Sequence, residues 1–410
     1  MVAPTGWKEV RLGDLGPLSK GVGIRKNEVT PYGIPCVRYG QIYTDYNFVI
    51  GEIQTFVSPQ VASNSRPLRR GEILFAGSGE TKEDIGKCIA YVEDVGAVAG
   101  GDIIVLTPEG ADPRFLGYSL NSPNVAQQKM SRAQGDAVVH ISAANLASIV
   151  LDLPPLKEQE AIANALSDAD AAVESLNALI AKKRDVKQAT MQQLLAGRTR
   201  LPGFNADWKE VRLGDLGVCL RGVSYKGDSD LSDGDTPTTV RLLRSNNVQN
   251  SLIQFNDVQY VNHDCVSDEQ ILRRDDIVIC MANGSKALVG KTGLYKDSQD
   301  ARHTFGAFMG CFRSSSDQAH AIFVRYLFLT KQYQDYISNL LAGSSINNLT
   351  PKSIESLLFT VPPLMEQEAI AEALSVMDQE LEALTQQVSK LRMVKEGMMQ
   401  DLLTGEVRLV

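Results

Sequence analysis

The chain has 410 residues, of which 43% are hydrophobic and 22% charged, and its formal net charge is −8. This length is too great for one ordinary hydrophobic core, so we expect at least two domains. No apolar run approaches the roughly 18 residues that cross a bilayer, and the first residues lack a signal pattern, which predicts a cytoplasmic protein. The acidic surplus does not exclude nucleic acid as a partner, because a local basic face can coexist with an acidic remainder.

The first part of the chain is predicted to form a small α+β module, which we call module one. It opens on the block Trp-Lys-Glu-Val-Arg-Leu-Gly-Asp-Leu-Gly at 7–16. Short apolar runs broken by Gly and Pro follow, and such runs predict strands with turns between them. The predicted strands are Ile34–Tyr39, Glu72–Phe75, Cys88–Val92 and Asp102–Leu106, and they are followed by a predicted helix at Pro113–Asn121. Near the end of the module, Ser142 is the expected N-cap of a further helix.

A long helix is predicted after Pro154-Pro155. Its apolar residues recur at alternating spacings of four and three, which is typical of a coiled-coil seam. The seam positions are Ile162, Leu166, Ala169, Val173, Leu176, Ile180 and Leu194, with a polar run at Lys183, Lys187 and Thr190. Gly197 lies where such a helix would end, after about 40 residues.

The second half of the chain repeats the first, and we call its globular part module two. The opening block returns unchanged at 208–217, and the helix start at 362–375 differs from 154–167 at only two positions. The predicted elements of module two are strands Val240–Leu243, Asp276–Cys280, Leu288–Tyr295 and Ala307–Phe312, a helix at Ala319–Ser338 and an N-cap at Thr350. The stretches between the shared blocks, roughly 17–137 and 218–345, agree only loosely. A shared frame with different middles predicts two copies of one module that recognise two different things.

The second long helix has the more regular seam. Its seam positions are Ile370, Leu374, Met377, Leu381, Leu384, Val388, Leu391, Met398 and Leu402, interrupted only by Lys395, and Gly405 marks its end. A free-standing pair of coiled-coil helices fits this length and regularity. The alternative is a helical hairpin buried inside an ordinary domain.

Chain connectivity predicts that the two long helices run antiparallel. Only about ten residues, 198–207, separate the first helix from the second opening block, so module two must begin near the end of that helix. Module two then leads through Pro362-Pro363 into the second helix. Because the termini of a domain often lie close together, the second helix should begin where the first one ends. The expected fold class is α+β, with two globular α/β domains joined by two long antiparallel coiled-coil helices in a pseudo-two-fold internal repeat.

Three parallel features of the two modules carry residue types that contact phosphates and base edges. Arg69-Arg70 aligns with Arg273-Arg274, the polar loops 77–82 and 283–286 each lead to a Gly-Lys pair, and the segment 38–41 parallels 244–247. The candidate DNA-binding residues are Arg38, Tyr39, Gln41, Arg69, Arg70, Ser78, Lys82, Lys87, Arg244, Asn246, Asn247, Arg273, Arg274, Asn283, Lys286 and Lys291. An ordinary solvated loop is the alternative for any single residue, and the recurrence of the same types favours binding for the set.

The candidates fall into two expected groups. The arginine pairs recur unchanged in two modules that otherwise differ, so phosphate contacts or structural salt bridges suit them better than discrimination between bases. The residues that differ between the modules, among them Arg38, Gln41, Asn246 and Asn283, are the better candidates for base edges.

No catalytic or cofactor-binding motif is evident in the sequence. The segment 284–292 imitates a phosphate-binding loop, but it has five residues between its glycines where the motif has four. No glycine-rich dinucleotide fingerprint opens a helix after a strand. The four histidines are scattered, and the six cysteines lack metal-ligand spacing, which predicts reduced thiols. We therefore expect no catalysis by this chain unaided.

The order of variable module, Pro-Pro-Leu-x-Glu-Gln helix, variable module and second such helix resembles the specificity subunit of Type I restriction-modification enzymes. The resemblance rests on the paired junctions at 154–160 and 362–368, the Leu-Leu-x-Gly ends at 194–197 and 402–405, and the opening blocks, and it covers nearly the whole chain. It implies that the variable parts are target recognition domains, each of which reads half of a split DNA site. It also implies that the helices set the distance between the halves and dock two methyltransferase subunits, which a restriction subunit joins.

The resemblance implies four segments: target recognition domain 1 at 1–155, a central coiled-coil helix and linker at 156–207, target recognition domain 2 at 208–363, and a C-terminal coiled-coil helix at 364–410. S-adenosylmethionine, and ATP with Mg for restriction, would be bound by partner subunits, so no cofactor or metal is expected in this chain. The alternative function is a coiled-coil adaptor whose globular ends bind proteins. A DNA reader loses duplex affinity steeply as the salt concentration rises, whereas an adaptor shows no duplex binding.

Overall fold

The computed structural model of the chain describes residues 5–296, 301–315, 317–342 and 347–409. The chain forms two compact units, of which unit 1 comprises Met1–Ala178 and Thr385–Val410 and unit 2 comprises Leu179–Leu384. The first long helix is Leu156–Leu195 and the second is Leu364–Thr404, so each long helix contributes one half to each unit. Among the described residues, no helix is both long and apolar enough to span a membrane.

Module one is built on a four-stranded antiparallel sheet. Its strands, in spatial order, are Leu18–Lys20, Ile103–Leu106, Glu72–Ala76 and Cys88–Tyr91. The last three of these strands are buried along their whole length, which explains their continuous apolar sequences. A second sheet has the order Val29–Thr30, Phe56–Val57, Ile34–Val37, Val98–Ala99 and Arg66–Pro67. Two short ladders pair Lys8–Arg11 with Val150–Leu153 and Ser78–Gly79 with Val139–His140.

The helices of module one are short. They are Tyr39–Thr44, Pro59–Ser63, Pro113–Ser119, Pro123–Ser131 and Ala143–Ala147. One face of the four-stranded sheet packs against Phe115, Leu116 and the start of the first long helix, and this cluster also includes Leu402. The core of unit 1 therefore joins module one to segments of both long helices.

Module two has the same plan. In the described residues its larger sheet has the order Gly217–Arg221, Met309–Ser314, Ile277–Cys280, Thr292–Leu294, Leu252–Ile253 and Val248–Gln249. The smaller sheet has the order Leu231–Ser232, Gln259–Asn262, Thr239–Leu243 and His303–Phe305, and Lys209–Arg212 pairs with Leu358–Val361. The helices are Gly227–Asp230, Ala321–Leu327, Lys331–Ala342 and Pro351–Glu355. A core cluster again joins this module to both long helices, through Leu194 and Ile370.

Most of the predicted elements are present, and the differences have local causes. The predicted helix at 319–338 is two helices, because the Thr330 hydroxyl donates to the Leu327 carbonyl at 2.7 Å and accepts from the Tyr333 amide at 3.3 Å, which ends one helix and starts the next. The prediction missed Pro123–Ser131. Both expected caps are confirmed: the hydroxyls of Ser142 and Thr350 accept amide hydrogen bonds at the starts of their helices.

The predicted seam of the long helices is confirmed residue by residue. Every seam position in both helices is buried or half-buried, including the interrupting lysines. The helices have 40 and 41 residues, and each ends before a glycine with left-handed backbone, Gly197 at φ 65° and Gly405 at φ 73°. In unit 1, Arg408 contacts Glu158 and Lys395 contacts Asp170, so the two segments run antiparallel there. In unit 2, Lys187 contacts Asp378 and Arg200 contacts Glu366, so the two helix segments run antiparallel there too.

A buried glutamate joins the module to the helices in unit 1. Glu158, whose side chain is only 3% exposed, accepts a hydrogen bond from Trp7 Nε1 at 3.2 Å and one from Arg408 Nη2 at 2.7 Å. The hydrogen bond from Arg408 holds the pKa of Glu158 below its usual range. The next residue, Gln159, accepts from the Asp112 amide at 2.9 Å. We call this arrangement the glutamate junction.

Unit 2 contains the same junction, whose glutamate lies 208 residues further on, since 366 minus 158 is 208. Glu366 accepts from Trp208 Nε1 at 3.3 Å and from Arg200 Nε and Nη2, both at 2.6 Å. Gln367 accepts from the His320 amide at 3.1 Å. Each arginine comes from the chain just after one long helix and binds the start of the other, which explains why the Pro-Pro-Leu-x-Glu-Gln sequence occurs twice.

The lysines that interrupt the seam make ion pairs across it. Lys395 binds Asp170 and Lys187 binds Asp378, and both aspartates also accept a tyrosine hydroxyl at 2.7 Å, from Tyr118 and Tyr326 respectively. Burial alone raises the pKa of Asp378, but the hydrogen bonds from Lys187 and Tyr326 outweigh it, so this pKa lies below its ordinary value. Lys183 adds a pair with Glu380 at 2.6 Å. The polar run in the first seam is thus part of the helix contact.

We predict that Asp378→Ala lowers the free energy of unfolding by about 1–3 kcal/mol, because it leaves the half-buried Lys187 and the Tyr326 hydroxyl without their acceptor. The double variant Lys187→Met/Asp378→Leu should recover only part of the loss, since it removes the unpaired lysine but still leaves Arg325 and the Tyr326 hydroxyl without this acceptor. Lys331→Ala, which breaks an exposed pair with Asp335, is the control and should cost less than about 1 kcal/mol. Chemical denaturation of the four proteins measures these differences, and equal losses for Asp378→Ala and Lys331→Ala would contradict the prediction.

Candidate nucleic-acid interface

The arginine pairs occupy matching tight turns at the start of a central strand. The amide of Gly71 donates to the Tyr91 carbonyl at 2.7 Å, and the amide of Asp275 donates to the Tyr295 carbonyl at 2.9 Å. Both turn residues have left-handed backbone, at φ 93° and φ 69°. Arg69, Arg70, Arg273 and Arg274 are all exposed. The turn therefore presents two guanidinium groups to solvent at the same place in each module.

A buried carboxylate accepts a hydrogen bond from the backbone of each arginine turn. Glu72 accepts from the Arg69 amide at 2.9 Å and from Arg66 Nη2 at 2.8 Å. Burial alone raises the pKa of Glu72, but these hydrogen bonds outweigh it and hold the pKa below its usual range. Asp276 takes the same place in module two, where it accepts from the Arg273 amide at 2.7 Å and pairs with Arg313. The buried carboxylates thus pair with other arginines, and the candidate pairs remain on the surface, where Arg70 makes an exposed ion pair with Asp94 at 2.6 Å.

Gln41 is buried inside the protein and its amide group is engaged there. Its Oε1 accepts from the Arg38 amide at 3.0 Å, which closes a capping box at the start of the helix Tyr39–Thr44. Its Nε2 donates to Asp45 Oδ2 and Thr55 Oγ1, both at 2.9 Å. These bonds give Gln41 a structural role and correct its expected role at a base edge.

Asn247 repeats this arrangement in module two. Its Oδ1 accepts from the Arg244 amide at 2.8 Å, and its Nδ2 donates to the carbonyls of Gln254 at 3.0 Å and Asn256 at 2.9 Å. The residue is only 1% exposed. These bonds give Asn247 a structural role as well and correct its expected role at a base edge. The matching segments 38–41 and 244–247 have the same local fold, and the last residue of each segment stabilises that fold.

The structure brings Arg244, Asn246 and Asn283 together around one pocket of 870 Å³ in module two. Asp257 accepts from Arg244 Nη2 at 3.1 Å and from Asn246 Nδ2 at 2.9 Å. Asn283 Nδ2 contacts Ser245 Oγ at 3.2 Å. The Nε atom of Arg244, like that of Arg38 in module one, is buried without a hydrogen-bond partner among the described residues. Hydrogen-bond donors and acceptors thus converge on a concave surface wide enough to admit a base edge.

The remaining candidates divide between interior and surface. Ser78 is buried, with its hydroxyl 2.9 Å from His140 Nδ1, and Lys87 donates to the Tyr46 carbonyl at 2.9 Å, while burial lowers its pKa. These bonds correct the expected DNA contact for Lys87. The exposed candidates are Tyr39, Lys82, Lys286 and Lys291, of which Lys82 lies 3.4 Å from Asp136 and Lys286 donates to the Leu341 carbonyl at 3.3 Å.

Two residues beside the pockets were missed by the sequence analysis. Asp102 borders a pocket of 260 Å³ in module one that also contains Ser78 and His140, and Phe308, which is 71% exposed, borders the pocket of module two. The available signal was the short Gly-Gly-Asp or Gly-Ala-Phe turn between two apolar runs, at 100–102 and 306–308. Across the described residues, no cluster of three or more histidine, cysteine or acidic side chains has the arrangement of a metal site, and all six cysteines are free thiols.

The chain belongs to the family of Type I restriction modification DNA specificity domains, whose model matches residues 4–182 and again 205–391. The specificity subunit of the Type I restriction enzyme EcoKI from Escherichia coli is 30% identical over 203 residues, which are 49% of this chain and 42% of the relative. The alignment thus spans less than half of that relative's length. The MjaVIII specificity subunit of Methanocaldococcus jannaschii is 24% identical over 312 residues, covering 73% of this chain and 71% of the relative.

Solved structures show the same fold. The crystal structure of the Type I restriction-modification S subunit from M. genitalium matches with a TM-score of 0.60 over 97% of this chain and 96% of the other, at 17% identity. The two family matches cover both modules, which confirms the internal repeat inferred from the paired sequence blocks.

We predict that Gln41→Ala lowers the free energy of unfolding by about 1–3 kcal/mol, because it removes a helix cap and leaves buried polar groups without partners. Tyr39→Ala, at an exposed position two residues away in the same helix, is the matched control and should change the free energy of unfolding by less than about 0.5 kcal/mol. Thermal or chemical denaturation measures both. If the two variants are equally stable, Gln41 is not a structural residue and returns to the set of surface candidates.

Proposed function

We propose that this chain is a non-catalytic subunit that reads a split site on duplex DNA, with one half-site for each module. The observation that carries the proposal is the pair of family domains with one frame and two different sets of side chains around their pockets. Two half-sites that are read together gain effective concentration, so neither module needs to bind tightly alone.

The two kinds of surface have different proposed roles. The turns that carry Arg69-Arg70 and Arg273-Arg274 are exposed, basic and at the same place in both modules, which suits phosphate contacts that fix the position of a module without reading sequence. The pocket with Arg244, Asn246 and Asn283 belongs to module two, and its mixture of hydrogen-bond donors and acceptors suits recognition of base edges.

The proposed partners follow from the family. Two methyltransferase subunits would dock on the long helices and restriction subunits would join them, in the cytoplasm. S-adenosylmethionine, and ATP with Mg for restriction, would be held by those subunits, and this chain would contribute binding and position to the reaction.

We predict that Arg273→Ala weakens binding to all duplexes alike and lowers the slope of log affinity against log salt by about one, because one phosphate contact is lost. Asn246→Ala should instead reduce discrimination at one base pair, by about 1–3 kcal/mol, and leave the salt slope unchanged. Titrations with the preferred duplex and its single-mismatch versions, at several salt concentrations, measure both quantities.

Lys331→Ala is the control for these titrations, since it removes one exposed positive charge from unit 2 at a position outside the arginine turn and the pocket. It should leave affinity and salt slope nearly unchanged. The division of roles fails if Arg273→Ala and Asn246→Ala respond alike. The absence of any salt-dependent duplex binding by the unaltered chain would overturn the proposed function and favour the protein-binding adaptor.

A further inference from the structure

The two modules hold one surface turn in the same place by the same backbone contacts. In module one the amide of Gly21 donates to the Ile103 carbonyl at 2.8 Å, and in module two the amide of Gly222 donates to the Met309 carbonyl at 3.1 Å. A Cβ atom on either glycine would collide with a carbonyl oxygen across the contact, that of Gly100 or Gly306. The backbones therefore meet too closely at this point for any other residue, and this contact sets the place of the turn beside the strand.

The last residue of this turn is also fixed by a matching backbone bond. The Asp102 carbonyl accepts from the Gly77 amide at 2.7 Å, and the Phe308 carbonyl accepts from the Met281 amide at 2.9 Å. Asp102 and Phe308 thus occupy equivalent positions, at the edges of the 260 Å³ and 870 Å³ pockets. Both side chains are exposed, and Phe308 is 71% exposed, although solvation of so large an apolar side chain is unfavourable.

A position that is held by matching backbone bonds and carries an acid in one module and a phenylalanine in the other has the properties of a reading position. We propose that the side chain at this position contacts one base in each half-site, a thymine for Phe308 and a cytosine for Asp102. An apolar side chain recognises the C5-methyl group that only thymine presents in the major groove, and a carboxylate accepts a hydrogen bond from the N4 amino group of cytosine.

This inference rests on the proposed function and adds the class of base that each module requires. The neighbouring groups fit it, because Asn246 and Asn283 line the same pocket as Phe308 and can engage an adjacent base pair. Asp102 shares its pocket with His140 and Ser78. In module two, Asn348 takes the place of His140 and Ala282 takes the place of Ser78. The two modules therefore differ in the chemistry of the pocket and share its position.

The test uses the full chain and selection from a randomised duplex pool. The unaltered chain should enrich a site with dT at one position of one half and dC at one position of the other. Phe308→Ala should lose the preference for that dT, and Asp102→Asn should change the preference at that dC, each without any change in the opposite half. Met365→Ala, which removes a side chain that is 70% exposed from the start of the second long helix, is the matched control and should select the unaltered site.

Replacement of the selected dT by dU isolates the methyl contact. The unaltered chain should lose affinity by about fourfold, the effect of one buried methyl group, whereas Phe308→Ala should bind both duplexes equally. Asn accepts the left-handed backbone of residue 102, at φ 59°, and position 308 is exposed, so unchanged melting temperatures should show that both variants fold.

The inference is overturned if the variants select the same site as the unaltered chain, or if Phe308→Ala weakens all duplexes equally and keeps the response to dU. In those cases the unaltered chain still selects a split site, and the proposed function stands. If the unaltered chain enriches no duplex, the proposed function fails and the inference fails with it.

Discussion

The carboxylate at the start of each long helix is the contact on which each unit depends. Glu158 and Glu366 are almost fully buried, and a buried charge is strongly unfavourable unless it is paired and hydrogen-bonded. In unit 1 the partners are a tryptophan from the opening block of module one and an arginine that follows the second long helix. One group thus ties together the module, the start of one helix and the end of the other. Because the two glutamates lie 208 residues apart in a repeated sequence, the same interaction holds both units.

The residues of the glutamate junction belong to the repeated frame of each module and not to its variable surface. The glutamate, the glutamine beside it and the lysine–aspartate–tyrosine clusters all recur 208 residues apart, so they are determined by the repeat. The turns that carry Asp102 and Phe308 are instead held by backbone hydrogen bonds, such as those around Gly21 and Gly222. Because these bonds use backbone atoms, the position can carry Asp102, whose backbone is left-handed at φ 59°, in one module and Phe308 in the other. A module of this kind can change its target and keep its fold.

Much of this structure could be predicted from sequence where the determinants are local or repeated. The seam from Ile162 to Leu402, the caps at Ser142 and Thr350 and the ends at Gly197 and Gly405 follow from spacing and from helix-end chemistry. Arg200 and Arg408 were overlooked, although both stand at the same offset in the repeat. Gln41 and Asn247 were misassigned because each caps a helix behind an arginine, where the usual cap signature has Ser or Thr.

The pockets could not be predicted, because they depend on contacts between distant segments. Asp102 borders its pocket together with residues near 78 and 140, and Phe308 borders one with residues near 244 and 283. Neither grouping has a local pattern that would place these side chains together. The exposure of the arginine turns could not be predicted from the sequence either. It depends on Glu72 and Asp276, which pair with other arginines.

The central claim is that each module determines one half of the target on its own, and exchange of one module tests it most directly. Residues 17–137 would be replaced by the corresponding segment of another family member, and methylated bases would then be mapped across the genome of a host that carries the methyltransferase partners. The account predicts that one half-site changes to that of the donor while the other half-site stays as it was. A change in both halves, or in neither, would contradict it.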